Sequence, residues 1–340
     1  MNRPKTVLRE TISERERRLR RKLDEDLGPE IRLALGDDTV VEIVLNDDGA
    51  LWVDRLGRPM ELLPVRMDAD RASRLVGTVA ALLETVVNEA KPIVEGELPF
   101  YGARFQGLVP PVVRRPIFAI RKKALLVHTL VDYVDRGRLD PHHAREICRA
   151  VRLRQNIVVC GGTGSGKTTF TNALLREKVE SGKAGQRIVV LEDTPELQCC
   201  AENTVALRSC EQADLGRLVR ATMRLRPDAI VVGEVRGREA LDLLKAWNTG
   251  HPGGVSTLHA NGARAALSRI DQLVQEAGVP SQPHFVADAV DMVVALARRA
   301  DGPHVTEVVH VVGFDERSRT YQLESVPCEQ EGEADHESIR

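Results

Sequence analysis

The stretch "NIVVCGGTGSGKTT", residues 156–169, constrains this chain more than any other. Gly161 to Thr168 fits G-x-x-x-x-G-K-[ST], with an apolar strand-like run (Asn156–Cys160) leading in and a helix leading out. Glycines let backbone N–H groups close around an anion, and the amino end of the helix adds its dipole. Gly161, Gly162, Thr163, Gly164, Ser165, Gly166, Lys167, Thr168 and Thr169 then form a phosphate cradle. Lys167 reaches the β- and γ-phosphates of ATP, and Thr168 ligates Mg²⁺.

The surrounding sequence has the pattern that such a loop needs. "QRIVVLE", "AIVVGE" and "GGVSTLHA" alternate with helical segments around Leu215–Arg226 and Arg238–Asn248. Near-continuous apolar strands between helices predict an α/β fold with a mostly parallel sheet covered on both faces. "DMVVALARR", "HVTEVVHVVGF" and "TYQLESV" add a run of antiparallel strands. Ahead of the loop, "VVEIVLN" and "ALWVDR" flank the turn "DDGA", and a helix starts at Asp68 or Asp70. With the extended pieces "ARFQGLVPPVV" and "PIFAIRKK" they predict a smaller α+β domain. The expected division is a charged, exposed N-terminal helix (1–27), the α+β domain (28–123) and a linker or hinge helix (124–140). A nucleotide-binding domain (141–327) and an acidic, disordered tail (328–340) complete it. Gly137 and Pro141 are the expected pivots of the hinge.

Acids and histidines gather at the strand ends. "RIVVLEDTPEL" closes with Glu192, Asp193 and Glu196, and "AIVVGEVRG" closes with Glu234. Open α/β sheets bind ligands at their carboxyl edge, so these carboxylates are expected beside the phosphate loop. "TGHPGGVSTLHAN" brings His251 and His259 to the same edge, where a histidine suits the sensing of a γ-phosphate. Where nucleotide hydrolases usually place an aspartate for the metal, this chain has Gly233, and the acid follows at Glu234.

"GGTGSGKTT", "LEDTPELQ", "RLRPDAIVVGEVRG" and "TGHPGGVSTLHAN" resemble the Walker A, Asp box, Walker B and His box of the secretion-superfamily traffic ATPases. These are hexameric motors of type II and type IV secretion and type IV pili. "ALWVDRLG", "ARFQGLVPPVV" and "FAIRKK" are similar to the N-terminal domain of the TrbB-type conjugal-transfer branch, and the similarity runs from about Gly28 to Val326. The resemblance implies a RecA-like ATPase domain, a homo-hexamer, and partners among the mating-pair components of a type IV secretion system at the inner membrane. It implies that Glu234 orients metal-bound water, that Glu192 is the base, and that His259 belongs to the catalytic set. Arg104, Arg115 and Arg121 fall in segments similar to the family's nucleotide-clamping surface, and arginine suits bidentate phosphate contact. A pilus assembly or retraction motor and a DNA-translocating ATPase are the alternatives. No paired CxxC insert of the type II branch is present.

Composition weighs on the alternatives. A formal net charge of −2 gives no general field for nucleic acid, and aromatics at 3% leave few stacking platforms. Direct nucleic-acid binding is therefore not expected, and Arg217, Arg220 and Arg224 read as a solvated or subunit-facing stripe. No transmembrane segment or signal peptide is legible, so a cytoplasmic protein, peripheral on the inner membrane at most, is expected. The six cysteines show no metal-site spacing and read as free thiols of a reducing compartment.

Overall fold

The structure, a computed structural model, describes residues 14–55, 58–122, 127–299 and 301–329. The chain divides into two compact units between Leu125 and Leu126. The first comprises α1 (Glu14–Gly36), β1 (Val40–Leu45), β2 (Ala50–Arg55), β3 (Glu61–Arg66), α2 (Ala69–Leu82), β4 (Ile93–Leu98), β5 (Ala103–Leu108) and β6 (Ile117–Arg121). Its antiparallel sheet runs β3-β2-β1-β6-β5-β4. Alternate residues such as Ile43, Val53, Phe105 and Ile120 form one core with Leu27, Ile31, Leu75 and Val79 of the two helices.

Helix α1 departs from the expected exposed helix ending at residue 27. Arg17, Arg18, Arg20 and Arg21 are exposed, but the helix continues past a kink at Gly28 (φ 70°) and buries Leu23, Leu27, Ile31 and Ala34. Those four positions form a helical apolar stripe that the flanking charges obscure. Arg71 caps the kink, donating from Nε to the Asp26 carbonyl (3.0 Å) and from its terminal nitrogen to that of Leu27 (2.7 Å). Residues 1–13 of the expected helix lie outside the described residues.

The second unit comprises α3 (Leu130–Asp135), α4 (Pro141–Arg152), β7 (Ile157–Gly161), α5 (Lys167–Ser181), β8 (Arg187–Glu192), β9 (Asn203–Arg208), α6 (Leu215–Thr222) and β10 (Ala229–Glu234). It continues with α7 (Glu239–Asn248), β11 (Val255–Leu258), α8 (Ala263–Gln275), α9 (Pro283–Ala289), β12 (Met292–Arg299), β13 (Gly302–Asp315) and β14 (Thr320–Ser325). The sheet order is β14-β13-β12-β7-β11-β10-β8-β9, parallel from β12 to β9 and antiparallel at the β13–β14 end. Strand alternation divides the core. Val158, Val189 and Ile230 pack with α6–α9, while Ile157, Ile188 and Val231 pack with Tyr133, Ile147, Phe170 and Leu174 on the other face. The second unit is RecA-like, and the first, preceding it in the chain, is a smaller α+β domain.

Two boundaries shift. From Leu130 onward the expected linker is part of the second unit, because Leu130, Tyr133 and Leu139 are buried in its core and the Tyr133 ring meets Phe170 edge-on at 5.2 Å. Residues 123–126 lie outside the described residues. The expected tail is anchored at its start, where Glu329 N–H donates to Asp140 (3.2 Å) and Arg145 pairs with Glu329 (2.9 Å). Residues 330–340 lie outside the described residues.

Candidate active site

Parallel pairing of β7, β11, β10 and β8 aligns their carboxyl ends, so the phosphate loop, His259, Glu234 and Glu192 share one edge. Gly166 begins α5 at φ 85°, and a Cβ there would lie 2.6 Å from Pro303, so the glycine is required twice over. Lys167 is buried, and its ammonium donates to the carbonyls of Gly161 (2.9 Å) and Gly162 (3.0 Å). Ser165 Oγ is buried inside the loop without a hydrogen-bond partner, a donor suited to a ligand oxygen.

The glutamate that ends β8 and the one in the turn after it do different things. Glu192 is buried, and its Oε1 accepts from the backbone N–H groups of Glu196 and Leu197, each at 2.9 Å. Its carboxylate therefore brackets the turn that follows. A Cβ at position 233 would lie 2.8 Å from Glu192 Cγ, which explains why glycine stands on β10 where an aspartate is usual. The turn so held carries Glu196 to the phosphate loop, where Thr168 Oγ1 donates to its Oε2 at 3.2 Å. Asp193 turns away and accepts from Ser209.

Glu234 and His259 connect the acids to the lysine. Arg236 pairs with Glu234 Oε2 at 2.6 Å, and His259 Nε2 lies 2.9 Å from Glu234 Oε1 without hydrogen-bond alignment. The other ring nitrogen, Nδ1, is 3.4 Å from Lys167 Nζ. Burial holds the His259 ring below its ordinary protonation range, so it is neutral at pH 7, with Nδ1 as acceptor and the proton on Nε2. The donors at this edge fit Mg²⁺: Thr168 Oγ1, Glu196 Oε2 and the buried Glu234 Oε1 are all hard oxygens.

His251 is a correction. It precedes β11 rather than following it, so it lies at the amino edge, its Nδ1 3.3 Å from the Ala246 carbonyl. At that edge Asn156 Oδ1 accepts from the N–H groups of Gly253 and Gly254, tying the "HPGG" turn to the base of β7. The three arginines of the first unit also separate. Arg104 and Arg121 are directly opposed cross-strand neighbours in a row with Glu97 and Glu42, whereas Arg115 is exposed beyond the other end of β6. In α6, Arg220 pairs with Asp242 and Arg217 donates to the Gln212 carbonyl, while Arg224 lies past the end of the helix at Thr222.

One grouping is absent from the sequence pattern because its members lie far apart in the chain. The donor atoms of Asp140, His143 and Cys328 fall within 4.8 Å of one another. Asp140 caps α4, and His143 Nε2 is 2.8 Å from the Val326 carbonyl, so these groups seat the segment after β14 on the start of α4.

A phosphate loop and strand-edge carboxylates on a mostly parallel sheet define a P-loop fold of the RecA-like class. Residues 24–339 match the family model described as "Type II/IV secretion system protein", and the chain belongs to that family. It is 47% identical over 307 residues, 90% of this chain and 94% of its relative, to the conjugal transfer protein TrbB of Rhizobium radiobacter. Two solved structures share the fold. The Legionella pneumophila ATPase DotB matches with a TM-score of 0.60 at 18% identity, over 85% of this chain and 80% of its own. The pilus retraction motor PilT with bound ADP matches with a TM-score of 0.59 at 20% identity, over 91% and 85%.

Proposed function

We propose that this chain hydrolyses ATP with Mg²⁺ and, as a ring of six copies, powers a conjugative type IV secretion system from the cytoplasmic side of the inner membrane. The observation that carries the catalytic reading is the Thr168–Glu196 hydrogen bond, which sets a carboxylate against the hydroxyl that closes the phosphate loop. Backbone N–H groups of the loop and Lys167 hold the β- and γ-phosphates and stabilise charge as the γ-phosphoryl transfers. Glu196 orients the attacking water and takes its proton, in place of Glu192, whose carboxylate is committed to backbone N–H groups. Mg²⁺, when bound by Thr168 and through water by Glu234, neutralises phosphate charge. His259 keeps Glu234 and Lys167 in register. Identity of 47% to a conjugal transfer protein favours conjugation over pilus retraction, where the likeness is one of fold.

Steady-state phosphate release separates the two glutamates. Glu196→Gln should lower kcat by about 10²-fold while ATP affinity changes little. Glu192→Gln keeps an oxygen for both N–H groups and should retain at least about a third of wild-type kcat. The opposite pattern returns the role of base to Glu192.

A further inference from the structure

The hairpin of β12 and β13 lies along the phosphate loop on the flank away from the acids. β12 pairs with β7 on one side, while β11, β10 and β8, which bring His259, Glu234 and Glu192, lie on the other. Leu296 is in register with Gly161, and the strand runs on beside the loop. Three loop glycines meet this hairpin. A Cβ at Gly161 would lie 2.6 Å from the Leu296 carbonyl, one at Gly166 2.6 Å from Pro303, and one at Gly164 3.5 Å from an Arg298 terminal nitrogen.

The hairpin is braced from behind. Val305 N–H donates to the Arg138 carbonyl (2.9 Å), Arg138 donates to the Asp301 carbonyl, and His304 Nε2 lies 2.8 Å from Asp301. Asp301 is the carboxylate of the turn, and its hydrogen bond to His304 holds it below the usual carboxylate range. Arg298, by contrast, is exposed and has no hydrogen-bond or ion-pair partner among the described residues. A guanidinium held by a braced strand against a phosphate loop, with no acid to neutralise it, is a ready anion contact.

We propose that Arg298 is a nucleotide-binding residue that contacts the part common to ADP and ATP. The γ-phosphate belongs to the flank of Glu196, Glu234 and His259, so an arginine on the opposite flank meets the remainder of the nucleotide. The inference rests on the nucleotide reading above and adds a residue outside the four sequence boxes. Strand alternation turns the adjacent Arg299 to the other face, which makes it an internal control of equal charge.

Calorimetric titration of the full chain with ADP and with the ATP analogue AMP-PNP, both with Mg²⁺, tests it. Arg298→Ala should weaken both nucleotides to a similar degree, by about ten- to a hundredfold, the range of a hydrogen bond to a charged group. Arg298→Lys should recover part of the loss, and Arg299→Ala should stay within about twofold of wild type. Arg298 is exposed, so unchanged thermal unfolding is expected of each variant. Binding by Arg298→Ala within twofold of wild type for both nucleotides overturns the proposal, as does a loss confined to AMP-PNP. A wild-type chain that binds neither nucleotide instead overturns the nucleotide reading itself.

Discussion

His259 has a pH dependence of definite sign. Burial, first, and the neighbouring Lys167 and Arg236 lower its pKa from the ordinary value of 6.5, against an upward pull from Glu234. The neutral ring offers Nδ1 to Lys167; a second proton removes that acceptor and sets an imidazolium beside the ammonium. Turnover should therefore be flat above the ordinary histidine value and fall in acid, with a midpoint below 6.5. The limb should vanish in His259→Gln. A kcat–pH profile over about pH 5–8 checks this; a limb centred above the ordinary value, or one unchanged in the variant, contradicts it. The position of the loop between a buried strand and a helix was legible because strand, glycines and helix are consecutive in sequence. The choice between Glu192 and Glu196 was not. It depends on Gly233, which is on another strand and makes room for Glu192. The place of Arg298 beside the loop is hidden for the same reason: only the pairing of β12 with β7 brings it there.

Among elements, the strands buried on both faces were plain in the sequence, since β7, β8, β10 and β11 are short apolar runs between helices. Strands β3, β4 and β9 are not legible in the sequence pattern. Each is at a sheet edge, where Pro64, Gly96 and alternating charges are tolerated because only one neighbour needs hydrogen bonds. Helix α5 poses a different problem, because it buries Lys178 as well as its apolar residues. Gly253 lies against that ammonium, and its φ of 85° accounts for the first glycine of "HPGG". Burial, with Arg154 nearby, lowers the Lys178 pKa from 10.5 to about 8. Between those values the unfolded chain holds a proton that the folded chain has lost, so stability should rise with pH across that window. Lys178→Met keeps the stem and removes the charge. It should stabilise the second unit at pH 7 by up to about 3 kcal/mol and abolish the alkaline rise. Urea unfolding at several pH values measures both, and a variant less stable than wild type at pH 7 contradicts the account.

At the scale of the whole molecule, two domains of the expected classes were legible, and the division at Leu125 falls within the expected linker, but the extent of that linker was not legible. The sequence placed a hinge over 124–140, yet Leu130, Tyr133 and Leu139 are buried in the second core, and the division falls at Leu125. Among the described residues no helix is long and apolar enough to cross a membrane. The proposed ring requires a head-to-tail interface that closes on rotation. Light scattering with AMP-PNP and Mg²⁺ should give six times the 37.6 kDa chain mass, and a persistent monomer contradicts the ring. The central claim, that the loop at Gly161–Thr168 is the seat of ATP hydrolysis, is tested most directly by phosphate release from wild type and Lys167→Ala side by side, with Mg²⁺ and matched circular dichroism. Wild-type turnover that falls to background in the variant is the predicted result, because the loop Gly161–Thr168 holds no other cationic residue for the β- and γ-phosphates. Equal turnover in the two proteins would contradict it.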